Sequence, residues 1–217
     1  MKKVIGWWFG TTDRKLLNKD GRKIVIGKTH KVRGEIIPCK HGLHLSKRVI
    51  DALEYAPGPV VYRVVGSGII IPDDLLDKYV CSERKYIAGG IDVSETLRLF
   101  ARNCALDVIH LWNPPDIVVK YLKTGDESIR AAAQVVARDG AWAVAQSGAQ
   151  AGAQTAVWSA VWAADQAAAQ VVARAGAWDA VRAEAQTAVK AAAWAVAWDV
   201  AKNKQNRRLT AMISKLL

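Results

Sequence analysis

Acidic side chains are scarce in this chain. Its 217 residues include 20 Asp and Glu against 31 Lys and Arg, a formal net charge of +11. Such a balance favours acidic partners (nucleic acid, an anionic ligand or an acidic protein face) without choosing among them. Cysteine is scarce as well. Cys39, Cys81 and Cys104 are widely spaced and odd in number, which argues against a disulfide framework and for a reducing compartment. Proline is absent after Pro115, so nothing beyond it forces a helix to break. No long apolar run is free of polar residues. The Ala-rich region carries Gln, Arg, Asp or Lys every few positions, so no membrane span is expected. The apolar run after Lys2 and Lys3 is too short for a signal peptide. Phosphate-loop, nucleophile-elbow and His-Glu-x-x-His motifs are all missing. The Gly-x-Gly in VVGSGIII lies between strand-like runs, where it reads as a bulge or bend.

What is present divides by composition. Half the residues are hydrophobic, enough for one large domain or two small ones. Residues 1–91 read as a β-rich basic domain. Runs at 4–10, 22–27, 60–71 and 78–82 are β-branched or aromatic between turn residues, and Asp20-Gly21 suits a hairpin turn. One short helix interrupts them, with Ser46 as its cap and Pro57-Gly58 as its stop. Residues 92–125 read as connecting helices. Asp92 and Glu95 have capping-box spacing, and Leu97, Ala101, Cys104, Val108 and Leu111 make one apolar face. Pro114 restarts a helix that ends at Gly125, and Asp126 caps the next. Residues 126–217 form an Ala-rich tract with a basic tail. The expected fold class is α+β: a small β-rich N-terminal domain followed by an Ala-rich all-helical repeat region.

The tract keeps a strict period of four. From position 130 to 202 every fourth residue is Arg, Gln, Trp or Lys, and nearly everything between is Ala, Val or Gly. AAAQVVARDGAW at 131–142 returns as AAAQVVARAGAW at 167–178, an offset of 36 residues, as a tandem duplication would give. Four residues advance a helix by about 400°, so the large side chains drift by about 40° per tetrad and circle the helix once in nine. A lone helix would then have no apolar face, which predicts a helical region over 126–202 that gathers more than one chain. Its interface residues would be Trp142, Trp158, Trp162, Trp178, Trp194 and Trp198. Gly148 and Gly152 would mark a bend or a close backbone contact, since each costs about 1 kcal/mol against Ala in a helix. Drift of a low-complexity codon run would account for the same pattern.

The stretch from Gly27 to Gly68 resembles a family of uncharacterised, largely phage-borne proteins. The carriers are Cys39, Gly42, Leu43 and His44, then Asp51, Ala52, Leu53 and Tyr55. DKYVCSERKYI, the Ala/Trp tetrads and the closing QNRRLTAM are also similar. The resemblance implies a phage accessory protein acting in the host cytoplasm and brings no activity with it.

Candidate chemistry gathers near the same motif. Lys40, His41, His44, Arg48 and Tyr55 crowd one turn and helix, where an anionic ligand would find donors. Cys39, His41 and His44 have residue types that suit zinc, but a closed site needs a fourth ligand from His30 or Cys81. A β-turn at Gly42 with His44 packed beneath the helix explains them without metal. Neither metal nor cofactor is expected. Trp7, Trp8 and Phe9 beside basic residues could form a stacking platform for nucleic acid, or could alternate into a core. The Gly-Leu-His-Leu-Ser stretch with Tyr55, Glu35 and Glu83 has an ADP-ribosyltransferase flavour, but no Gln/Glu-x-Glu motif accompanies it. The leading expectation is therefore a non-enzymatic scaffold with a basic recognition domain. A nucleic-acid or nucleotide binder and an NAD-dependent transferase follow.

Overall fold

The computed structural model describes residues 3–17, 20–73, 76–111, 113–137 and 188–217, with the backbone course alone for 188–199. These fall into two compact units. The first joins residues 1–94 to 201–217, and the second spans 95–200.

The first unit is built on an antiparallel sheet of five strands, β1 (Val4–Gly10), β2 (Thr29–Lys31), β3 (Leu43–Leu45), β4 (Val60–Pro72) and β5 (Tyr79–Asp92). The β-branched runs at 4–10 and 60–71 become β1 and β4, paired from Val4 opposite Gly66 to Gly10 opposite Val60. The long β5 pairs with β4 along one edge and with β2 and β3 in succession along the other. Register shifts interrupt the β4–β5 ladder at three places, and such bulges bend and twist a sheet. The sheet curls until its edges meet. Trp7 N–H donates to Ser46 O at 2.7 Å and Ser46 N–H returns to Trp7 O at 3.0 Å, closing a small barrel. Ser46, expected to cap a helix, serves as this closure instead. Run 22–27 is no strand. It returns across the Asp20-Gly21 turn, bridging Lys23 to Lys15.

Two glycines let the barrel be this narrow. A Cβ on Gly6 would lie 2.4 Å from Ser46 O and 2.6 Å from Leu45 Cδ1. One on Gly66 would lie 2.5 Å from Cys81 Sγ and 2.6 Å from Leu45 Cδ2. Inside pack Val4, Leu16, Ile24, Leu45, Val60, Tyr62, Val64, Cys81 and Tyr86, with Trp8, Ile70 and Tyr79 against them. Helix α1 (Val49–Glu54) packs on β1.

The expected separation into a β-rich domain and an all-helical repeat region is corrected here. Residues 138–187, most of the tetrad tract, lie outside the described residues, so no all-helical repeat region is supported. The last helix, α4 (Ala188–Ser214), carries its end, from residue 201, into the same unit as the sheet. The cause is a change of pattern. Beyond Lys202 the tetrads stop, and Asn206, Leu209 and Ile213 share one helix face, with Leu209 and Ile213 wholly buried. This face meets α1. Arg48, at the α1 N-cap, makes no side-chain cap bond. Instead Asn206 Oδ1 accepts from Ile50 N–H at 3.3 Å, a cap supplied from a distant part of the chain. Lys202 Nζ lies 3.0 Å from buried Asp51 and 3.3 Å from Glu54. Arg48 grips Asp51 through two nitrogens and reaches Asn203 with a third.

In the second unit, α2 (Ser94–Val108) buries Leu97, Phe100, Ala101 and Cys104, much of the face that the spacing predicts. Helix α3 (Asp116–Thr124) ends where expected, on Gly125 at φ +69°. Asp126 caps a short 3-10 turn through Ser128 N–H, and residues 130–137 are helical.

Candidate functional site

The Cys39-to-His44 motif has a structural meaning. Ile37 and His41 exchange backbone hydrogen bonds around a tight turn, with Cys39 in the left-handed region at φ +61°. A Cβ on Gly42 would lie 2.2 Å from Val80 Cγ2, so only glycine lets the chain pass so close to β5. The turn delivers Leu43 opposite Cys81 and His44 opposite Val80. Lys40 and His41 stay exposed on the turn, with His41 Nε2 2.9 Å from Arg33 O. Among the described residues no group of three His, Cys, Asp or Glu is placed to hold a metal ion.

His44 and Tyr55 do come together. Both line a cleft of about 200 Å³ with Trp7, Trp8, Ala52 and Lys78. Lys78 Nζ stands 3.8 Å above the Tyr55 ring and 3.6 Å from Asp73, and the Tyr55 hydroxyl donates to Asp77. Burial raises the pKa of Tyr55, and its bond to Asp77 adds to the effect. Burial, then Lys78 and Arg84, push the His44 imidazole down to about 4, so it is neutral near pH 7. Arg48 is committed to Asp51 and Asn203 at the α1–α4 seam. Trp142, Trp158, Trp162, Trp178, Gly148 and Gly152 lie outside the described residues. Trp194 and Trp198 fall on α4, described there by backbone course alone.

The sequence reading missed the group behind the cleft. Arg84 is 2% exposed. It donates to His44 O and to the Tyr86 hydroxyl, with its Cζ 4.2 Å from the Trp8 ring and 5.0 Å from the Tyr86 ring. Among the described residues no carboxylate pairs with it. Cation–π contact offsets burial of a guanidinium by on the order of 2 kcal/mol, against a desolvation cost of several kcal/mol. Opposite it on β2 is His30, 1% exposed, with neither ring nitrogen partnered. The Tyr62 hydroxyl and Arg84 Nε are likewise buried without a partner. Burial, then Arg22, Lys28 and Arg84, lower the His30 pKa.

Charge is divided as unevenly as the fold. The first unit holds 22 Lys and Arg against 10 Asp and Glu, while the second holds 9 against 10. The excess is on the surface: eight Lys and Arg between Arg14 and Lys40 are exposed. Trp7 and Phe9, at 5% and 1% exposure, offer no open face for stacked bases. Glu83 spends its carboxylate on Lys31 and Ser67. No helix among the described residues is long and apolar enough to cross a membrane.

No curated protein and no solved structure matches this chain. Residues 14–99, from the loop after β1 into α2, match the family model described as a domain of unknown function (DUF7666), which fits an uncharacterised family.

Proposed function

We propose that this chain is a non-enzymatic interaction protein whose basic first unit recognises an acidic protein surface. The observation that carries this reading is the division of charge: the whole net excess belongs to one unit, much of it on exposed side chains between Arg14 and Lys40. Of the expected stacking platform, Trp7 and Phe9 are buried and half-buried Trp8 already stacks on Arg84, which favours a protein face over stacked single-stranded nucleic acid. In this reading the tetrad tract gathers copies of the chain, and the resemblance to phage-borne proteins makes it an accessory factor in the host cytoplasm.

The test is fluorescence anisotropy of the full chain with a labelled poly-glutamate peptide and a labelled single-stranded oligonucleotide over a salt series. The expected result is tighter binding of the peptide, weakening as salt rises. Preference for the oligonucleotide would favour the nucleic-acid reading. Binding of neither at low salt would remove recognition of polyanions altogether.

A further inference from the structure

We propose that the polar cluster inside the barrel is a binding site for a small molecule bearing one oxyanion, with Arg84 as its anchor and His30 and Tyr62 as neutral hydrogen-bond donors. The inference goes beyond the surface reading above and does not depend on it. Arg84 Nε, the His30 ring and the Tyr62 hydroxyl are each buried and unpartnered. All three residues stand round one ring: the centroids of Tyr62 and His30 lie 5.2 and 5.6 Å from that of Tyr86, and Arg84 Cζ lies 5.0 Å from it.

Their chemistry points to one kind of partner. The guanidinium has only donors, the hydroxyl has a donor to give, and a neutral imidazole has one N–H. One member is a guanidinium, charged throughout the ordinary pH range, and among the described residues no acid inside balances it. An unpaired buried donor is costly whereas a charge-assisted bond is strong, so a negatively charged acceptor answers the whole set. The facing charges agree. Arg22 and Lys28 act on His30, and Arg14 acts on Tyr62. The acids on the same sides, Asp20 and Asp13, are engaged by Arg22 and by Thr11 and Lys15. The 200 Å³ cleft is walled by Trp8, on which Arg84 is stacked, and by His44, whose carbonyl Arg84 holds, while Arg84, His30 and Tyr62 themselves are not among its lining residues.

The experiment is calorimetric titration of the full chain with inorganic phosphate and, separately, acetate, in chloride buffer of matched ionic strength. Tyr62→Phe removes a single unpartnered hydroxyl and His30→Gln keeps a polar side chain, so both variants retain the packing. Saturable binding of one probe is expected, phosphate or acetate identifying the class, with affinity at least fivefold weaker in either variant and melting temperature without probe not lowered in Tyr62→Phe. Absence of saturable binding for both probes, or wild-type affinity in both folded variants, would overturn the site. Poly-glutamate binding should be unchanged by Tyr62→Phe, which separates failure here from failure of the surface reading.

Discussion

Gly66 shows how little room the barrel leaves. Its missing Cβ would collide with Cys81 Sγ and Leu45 Cδ2 inside the core, so Gly66→Ala should destabilise the first unit by about 1–3 kcal/mol. Gly6→Ala should cost at least as much, since the obstacle includes the backbone oxygen of Ser46, which cannot rotate away. Urea melts of both variants check this; a wild-type midpoint would mean that the edges do not meet. His44 sets a pH dependence. Its folded pKa of about 4 lies below the unfolded value of 6.5, so the unfolded chain takes up the proton first. Stability is therefore full above about pH 6.5 and falls as pH drops toward 4, by at most about 3 kcal/mol. His30 acts in the same direction. Melts between pH 7.5 and 5.5 should lose stability in the parent and lose less in His44→Phe. Of these residues, His44 and Tyr55 were legible because a motif surrounds them. Arg84 was not. In SERKYI it looks like part of a charged turn, and of its two aromatic neighbours only Tyr86 is near in sequence, while Trp8 arrives from distant β1.

Elements were legible in proportion to their length. β1 and β4 announce themselves through β-branched runs, and α3 through its terminal glycine. β2 and β3 have three residues each, too few to show a period of two. Their places are fixed by β5, whose own run past Ser82 opens on three successive charges, Glu83, Arg84 and Lys85, and contains Gly89-Gly90, without the expected density of β-formers. The return of α4 left a faint mark, since Asn206, Leu209 and Ile213 are spaced i, i+3 and i+7, but nothing in that pattern names α1 as the partner. The α1–α4 seam makes three predictions. Asn206→Ala removes the cap from Ile50 N–H and should cost about 1 kcal/mol. Asp51→Ala leaves Arg48 and Lys202 facing each other at a buried position and should cost about 3 kcal/mol. Lys202→Met, which spares the Arg48–Asp51 pair, should cost less. Chemical denaturation monitored by far-UV dichroism orders the three. Equal losses would show that the carboxylate is not the centre of the seam.

At the scale of the whole molecule, the chain leaves the first unit after Ser94 and rejoins it at Ala201. The intervening 106 residues are thus an insertion between two stretches of the first unit. Insertions of this kind are forgiving. The entropy of closing a loop grows only with the logarithm of its length, so removing one 36-residue copy, residues 138–173, changes the closure term by only about 0.4 kcal/mol. The deletion also joins Ala137 to Arg174, which restores the tetrad phase. The shortened chain should keep the melting midpoint of its first unit, observed by scanning calorimetry, within a degree or two. A large drop would show that the tract braces the first unit. If the midpoint holds, repeat number is free to rise and fall by replication slippage while the seam that receives Lys202, Asn206 and Leu209 stays as it was. Lineages of this chain could then lengthen or shorten the inserted segment without refashioning the first unit.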